Sequence, residues 1–360
     1  MVAHILHVGI KLSLMHNQMI FAQGQKGKKM ELYDKNGYLK MAGIIEMGYP
    51  FVFIAAARGT GKTYGALRYL YKQKEPFIHL RRTQKEADLQ NKAAGSSFKA
   101  VLNDLGAEYS ITSANNLGTV YDEEGNVIAY NMALNTFASV RGMDFSDINR
   151  VFYDEFIAEP HVRKIKAEGF SLANFYESVN RNRELDGRKP LQLICAANSV
   201  NMANDVFLYF DLVHHAEEMI QKDEEIRYLG NKLLIIPQHS PISEKKKETA
   251  LYQAVNSEFT DMAIKNKFIL NDFSYVTPRP IVEYKCILQL GDLFIYEHKA
   301  GGEYYVTFQK GQTKNIYKNS YADRARAKKS LWKFVSYYLD GRIRFESFRC
   351  VALFEKYFEL

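Results

Sequence analysis

The chain has 360 residues, 47% of them hydrophobic, which is ample for a core and suggests two domains. Its 48 Lys+Arg against 41 Asp+Glu give a formal charge of +7, which permits a polyanionic partner without establishing one. Cys195, Cys286 and Cys350 lie far apart with no CxxC, and no apolar run reaches the ~18 residues of a spanning helix. The composition therefore speaks against a disulfide framework, a zinc site and a membrane span, and for a reduced, intracellular protein.

Residues 1–29 carry an apolar run broken by histidines, Lys11 and Asn17, with no small-residue cleavage site behind it. They are expected to be a loosely structured extension, or an upstream start to a protein that begins near Met30. Residues 30–50 are a short lead-in, in which Tyr38 and Tyr49 are candidates to pack on an adenine base, with core packing as the alternative.

Phe51 to Leu70, FVFIAAARGTGKTYGALRYL, reads as buried strand, glycine turn and helix. Ala57, Arg58, Gly59, Thr60, Gly61, Lys62, Thr63 and Tyr64 form a candidate phosphate-binding loop that departs from G-x-x-x-x-G-K-[ST] only in Ala56. The glycines let backbone N–H groups turn onto phosphate oxygens. Lys62 reaches the β- and γ-phosphates, and Thr63 offers a hydroxyl to Mg²⁺ at a helix N-terminus. ATP and Mg²⁺ are the implied cofactors.

Pro76–Leu80 reads as a second buried strand, ending in Arg81-Arg82, with His79 a core residue. Residues 84–105 read as helical with a break at Gly95-Ser96-Ser97. Two alternating runs around Glu124-Gly125-Asn126 signal a hairpin. Thr136–Val140 reads as a strand that delivers Arg141.

Ile148–Glu155 has the shape of a Walker B strand. Asp154 would hold the metal and Glu155 would polarise the attacking water. Residues 170–184 read as helical, ending in NRNRE. Pro190–Ser199 is one more buried strand, and its tip Asn198 either senses the γ-phosphate or caps the next segment. Residues 205–250 are charged, most densely at SEKKKET, with Leu233–Pro237 a final strand of the first domain. His214 and His215 read as surface or packing residues.

Ile281–Tyr284, Leu293–Tyr296 and Tyr304–Phe308 read as strands, with Gly301-Gly302 as a hairpin turn. The tail from 321 reads as helical, with nine Lys or Arg against five Asp or Glu. Arg324, Arg326, Lys328, Lys329 and Lys333 form either a solvated helix face or a nucleic-acid surface.

Taken in order, AARGTGKTYG (56–65), FIHLRR (77–82), VFYDEFI (151–157), NRNRE (180–184), ICAANSV (194–200), TKNIYKNSYAD (313–323) and LDGRIRFESF (339–348) resemble one family. It is that of the DNA-packaging (encapsidation) ATPases of small tailed phages of the phi-29-like type, distant relatives of terminase large subunits. The resemblance implies an α/β, additional-strand (ASCE, FtsK-HerA-like) P-loop NTPase domain over residues 30–240. A linker at 241–275 and a smaller α+β RNase H-like domain at 276–360 would follow, the latter a vestigial nuclease that docks on nucleic acid and prohead.

It further implies a homo-oligomeric ring, a pentamer, that drives double-stranded DNA into a prohead at the portal (connector) protein. The protein would work in the host cytoplasm, transiently at the portal vertex, and would be absent from the mature virion. In some relatives a structural packaging RNA takes part. Residue by residue, Arg58 matches the arginine inside the loop, Lys62 and Thr63 the Walker A pair, and Asp154 and Glu155 Walker B and the catalytic glutamate. Asn198 matches the coupling position, Arg181 a trans-acting arginine and Arg141 a second basic residue of similar role. The alternative for Arg181 is a helix-surface arginine paired with Glu177 or Glu184.

Glu283, Asp292 and Glu297 are the only candidate acids in the strand region of the second domain, too few convergent carboxylates for a metal-dependent nuclease. Nuclease activity is therefore expected to be absent. The competing readings are a terminase large subunit with active endonuclease, a helicase-like P-loop ATPase, and a binding protein whose P-loop is vestigial.

Overall fold

The computed structural model describes residues 30–159, 162, 164–254 and 274–360. The expected extension 1–29 and positions 255–273 of the expected linker lie outside the described residues. The strands, in chain order, are β1 (Phe51–Ala56), β2 (Phe77–Arg81), β3 (Tyr109–Ala114), β4 (Leu117–Asp122), β5 (Val127–Ala133), β6 (Arg150–Asp154) and β7 (Gln192–Asn198). They continue with β8 (Ile226–Leu229), β9 (Lys232–Ile235), β10 (Tyr284–Leu290), β11 (Leu293–His298), β12 (Tyr304–Thr307), β13 (Ile316–Tyr317) and β14 (Ile343–Phe345). The helices are α1 (Met41–Glu46), α2 (Lys62–Lys72), α3 (Gln84–Gln90), α4 (Phe98–Leu105), α5 (Glu168–Asn180) and α6 (Asp205–Tyr209). After them come α7 (Val213–Gln221), α8 (Pro241–Lys246), α9 (Ala250–Ala254), α10 (Tyr321–Ser330), α11 (Lys333–Leu339) and α12 (Phe348–Phe358).

Two units divide the chain. Unit 1 takes the described residues up to Phe156, Ala173–Asn198, and Asp223 onward to 254. Unit 2 takes the described residues of Ile157–Leu172, Ser199–Lys222, and 274 to Leu360.

Unit 1 is built on a nine-stranded sheet of order β3-β4-β5-β2-β6-β7-β1-β9-β8. Strands β5, β2, β6, β7, β1 and β9 run parallel, and antiparallel β3-β4 and β8 extend the two edges. β1 is paired on both sides, with β7 and β9, and residues 52–56 are buried, which is why its sequence is an unbroken apolar run. β7 lies between β1 and β6, so the strands leading into the GKT turn and into Asp154 are separated by one parallel strand. The break at residues 95–97 falls between α3 and α4 as read from the sequence. α3 begins with a reciprocal cap, in which Thr83 accepts from Glu86 N and Glu86 accepts from Thr83 N.

Thr136–Val140 is not a strand. Leu134–Ser139 is a 3₁₀ turn, and Leu134, Phe137 and Val140 are buried at a spacing of three. That is the period of a 3₁₀ helix, and it seats Phe137 edge-on against Phe175 with ring centroids 4.7 Å apart. Sequence reading also missed β3 and β8. Both are edge strands with little burial, so neither carries an apolar signal.

Unit 2 contains a five-stranded mixed sheet of order β13-β10-β11-β12-β14. β10, β11 and β12 form an antiparallel meander, with β13 parallel to β10 and β14 parallel to β12. Gly301 and Gly302 carry φ of +80° and +86° between β11 and β12, a left-handed pair that suits a tight hairpin. Ile281–Glu283 forms a 3₁₀ turn rather than a strand start, and β10 begins at Tyr284. The tail is helical as expected, apart from β14, whose three residues are too few to show a period.

Candidate functional site

β1, β6 and β7 run parallel and in register, so their carboxyl ends lie side by side: Ala56 pairs with Asn198, and Asp154 with Ala196. In open α/β sheets this is the edge where ligands bind. Leaving β1, the chain passes through Ala57, Arg58, Gly59, Thr60 and Gly61 into α2, and Gly59 and Gly61 have φ of +67° and +86°. Thr60 Oγ1 donates to the Ala57 carbonyl at 3.0 Å and closes the loop on itself.

Lys62 is buried, with Nζ donating to the Ala56 and Ala57 carbonyls at 3.0 and 2.8 Å and to Asn198 Oδ1 at 3.2 Å. Burial lowers its pKa to about 8, despite the opposing pull of Asp154 and Glu155, and Lys246 and Arg58 push in the same direction as burial.

Thr63 Oγ1 donates to both Asp154 oxygens, at 3.0 and 3.1 Å. Burial alone would raise the Asp154 pKa. The neighbouring His79 imidazole, the Arg81 guanidinium and the Thr63 hydroxyl hold it below the usual carboxylate value. A hydroxyl and an ionised carboxylate in contact are hard oxygen donors. They fit Mg²⁺, which takes few protein ligands and completes its shell with phosphates and water. Thr63 and Asp154 would hold it.

Arg81 is the residue the sequence reading left without a role. At the end of β2, Nη1 donates to Asp154 Oδ2 at 2.7 Å and Nη2 to Glu155 Oε2 at 3.1 Å. One guanidinium thus bridges both carboxylates of VFYDE. The only signal was its position at a strand end. Glu155 itself has φ of +57°, and its N–H donates to the Ala196 carbonyl at 2.6 Å. This strained left-handed turn leaves its side chain half exposed beside the buried Asp154. His79 is fully buried, stacked on Phe152, as its apolar setting predicted.

The structure thus brings Lys62, Thr63, Asp154, Glu155 and Asn198 to one edge. Tyr64 lies on α2 with its hydroxyl engaged by Asp104 and Arg68. Arg58 is exposed, and its carbonyl accepts from Lys246. Tyr38 lies across the loop, close enough that a Cβ on Gly61 would come within 3.2 Å of its ring.

Arg181 and Arg141 do not join this group within one chain. Arg181, at φ of +46° just past α5, donates to Asp144 Oδ1 at 3.0 Å and to the Met143 carbonyl at 2.8 Å. Its carboxylate partner is therefore Asp144, not Glu177 or Glu184, because the left-handed turn swings it off the helix face. Its neighbour Arg183 is buried and holds the Asn180 and Val179 carbonyls. Arg141 is exposed over the Phe137 ring at 5.9 Å.

In unit 2, Arg326 pairs with Asp323 and lies over the Tyr317 ring, and Lys328 pairs with Glu359. Arg324 donates to the Asn319 carbonyl, Lys333 lies near the Phe334 ring, and Lys329 is exposed. Among the described residues no group of three or more His, Cys, Asp or Glu side chains gathers as a metal site. Glu283, Asp292 and Glu297 therefore do not converge there. No helix of the described residues is long and apolar enough to cross a membrane.

A sequence profile described as podovirus DNA encapsidation protein (Gp16) matches residues 33–359. The DNA packaging protein of Bacillus phage B103 is 26% identical over 233 residues, covering 63% of this chain and 67% of that protein. The chain thus spans about two thirds of the length of the curated relatives it matches. Two solved structures share the fold. "The Phi-28 gp11 DNA packaging Motor" superposes with a TM-score of 0.62 at 15% identity, over 91% of this chain and 99% of that one. "The bacteriophage Phi-29 viral genome packaging motor assembly" does so with a TM-score of 0.61 at 20% identity, over 91% and 100%.

Proposed function

Because the chain belongs to the family of podovirus DNA encapsidation proteins, we propose that it is an ATP-driven motor that moves double-stranded viral DNA into a prohead. The observation that carries this reading is the two contacts Lys62–Asn198 and Thr63–Asp154, side by side at the carboxyl ends of β1, β7 and β6. A phosphate-binding lysine, a metal-binding hydroxyl and carboxylate, and a strand-end amide at one sheet edge suit a nucleotide whose γ-phosphate comes and goes. The strand β7 between β1 and β6 supports the additional-strand class of P-loop ATPases.

Within this reading Lys62 holds the β- and γ-phosphates. When bound, Mg²⁺ supplies charge neutralisation between those phosphates. Glu155 orients the attacking water and accepts its proton, and Arg81 keeps that carboxylate aimed. Asn198, bonded to Lys62, registers whether the terminal phosphate is present. Arg181, exposed and held by Asp144 and the Met143 carbonyl, is the arginine proposed to reach the neighbouring subunit's ATP in a pentameric ring, with Arg141 as a second basic contribution.

The finer reading of unit 2 is a vestigial RNase H-like domain, without nuclease activity, that docks on the portal protein and on nucleic acid. A structural packaging RNA would be one such nucleic-acid partner. Its support is the antiparallel meander flanked by parallel strands and the dispersed acids. Arg324, Arg326, Lys328, Lys329 and Lys333 are candidate contacts. Contacts to DNA would be to phosphates rather than bases, since a packaging motor accepts any sequence.

The deciding experiment measures phosphate release. Lys62→Ala should abolish turnover with the fold intact by circular dichroism, and full turnover in that variant would end the mechanism. Mixing Arg181→Ala with Lys62→Ala subunits should restore part of the hydrolysis. No rescue in rings shown to be mixed would count against action across the interface.

A further inference from the structure

We propose that Lys246, on the short helix α8 outside the nucleotide-binding motifs, is a further phosphate-contacting residue of the same site. This rests on reading that edge as an ATP site. From the sequence the segment SEKKKET was only a charged stretch next to a linker. In the structure its lysines part company. Lys247 pairs with Glu244, Lys245 donates to the Asn36 carbonyl at 3.2 Å, and Lys246 donates to the carbonyl of Arg58 inside the phosphate loop.

α8 is anchored where it can deliver that ammonium. Just before it, the Glu225 carboxylate accepts from the Tyr33 hydroxyl at 2.7 Å and from the N–H groups of Gln238 and His239 at 2.8 and 3.1 Å. Pro241 presets the first turn. Gly37 lies so near that a Cβ there would come within 2.8 Å of Ile242 N. The turn holding Gly37 is itself tied to the phosphate loop by Leu39 N donating to the Thr60 carbonyl at 3.0 Å. At the far end of α8, Lys246 Nζ fills the space a side chain on Gly59 would need.

The electrostatics point to an anion. Lys246 is half buried, and burial lowers its pKa. Among the described residues it has no carboxylate partner, only a neutral carbonyl, which leaves further N–H donors on the ammonium. Lys246 reaches the same loop that carries Arg58 and Lys62. A polyphosphate entering there meets three cations. Lys246 then exchanges a carbonyl for a phosphate oxygen, a stronger charge-assisted bond.

The test uses the full chain and titration calorimetry with a non-hydrolysable ATP analogue. Lys246→Gln should weaken binding on the order of tenfold to a hundredfold, and Lys246→Arg should recover most of it. Lys245→Gln and Lys247→Gln should bind like the parent. The thermal midpoint of the nucleotide-free protein should be unchanged in Lys246→Gln, because only a neutral carbonyl contact is lost. Binding lost in Lys62→Ala but untouched in Lys246→Gln would overturn the proposal alone. A loss that Arg fails to rescue, with a lower nucleotide-free midpoint, would make Lys246 a structural prop and overturn it too. Binding that survives Lys62→Ala would remove the ATP site itself, and this proposal with it.

Discussion

At the carboxyl edge of the nine-stranded sheet, Lys62, Arg81 and Asp154 are each less than a tenth exposed, Lys62 bonded to Asn198 and Asp154 to both Thr63 and Arg81. Around the five-stranded sheet, Arg326, Lys328 and Arg349 reach Asp323, Glu359 and Asp211 one at a time, each from a partly exposed position. The two arrangements have different energetics. Burying charges costs several kcal/mol per ion, roughly offset only when every partner is in place. Exposed pairs contribute about 0–1 kcal/mol and are screened by salt. A set of buried charges gathered at one sheet edge is therefore the place to look for chemistry. The basic helix of unit 2 is the place to look for contact with a polyanion.

The contrast breaks most easily at Glu155. Glu155→Gln should lower ATP turnover by about 10²–10⁴, the range for a general base, while nucleotide binding persists. Equal turnover in a phosphate-release assay would deny unit 1 its special status.

Next in size is Arg81→Ala. It strands the buried Asp154 carboxylate and should destabilise unit 1 by about 3–5 kcal/mol, read by denaturant unfolding, with turnover falling as Glu155 loses its partner. Arg81→Lys should recover little, because one ammonium cannot reproduce the two-pronged bridge.

A third effect is pH dependence. Lys62 must be charged to hold phosphate, and in the nucleotide-free protein its pKa is lowered to about 8. Nucleotide affinity should therefore weaken about tenfold between pH 7 and 9, as its charged fraction falls before the ordinary lysine range is reached. Stability of the nucleotide-free protein should move the other way. The unfolded chain binds more protons than the folded one between about pH 8 and the ordinary lysine value of 10.5, so stability rises across that window. Calorimetric titrations and thermal melts at stepped pH check both signs.

The smallest expected effects lie in unit 2. Joint replacement of Glu283 and Asp292 by Ala should leave turnover unchanged. Neither parent nor variant should cleave plasmid DNA in Mg²⁺ or Mn²⁺. Cleavage lost in the variant would favour the endonuclease-bearing alternative. Lys328→Ala should cost less than about 1 kcal/mol of stability, an effect that shrinks in high salt.

The parallel core of unit 1 was legible because strands buried on both faces must be continuous apolar runs, as in FVFIAA and LICAA. The edge strands β3 and β8 and the 3₁₀ turn at Leu134–Ser139 were not, since exposure or a three-residue period removes the usual patterns. Lys62, Thr63, Asp154, Glu155 and Asn198, which the fold gathers at one edge, were legible as candidates because each stands at a fixed place relative to a strand end. Arg81 was legible only as a cation at such an end. Lys246 was not legible at all, because it stands 184 positions after Lys62 with no periodic relation to it.

By itself the sequence determined the P-loop pattern, since local chemistry fixes which residues can hold a nucleotide and where they stand on strand and turn, and its ordered blocks carried the resemblance to the phage DNA-packaging ATPases. Only the tertiary structure decided which charges meet. Strand order set Arg81 against both carboxylates, a left-handed turn gave Arg181 to Asp144, and the packing of α8 laid Lys246 on the phosphate loop. Long-range pairing is a property of the folded sheet and its loops, so it leaves no mark on any short stretch of chain.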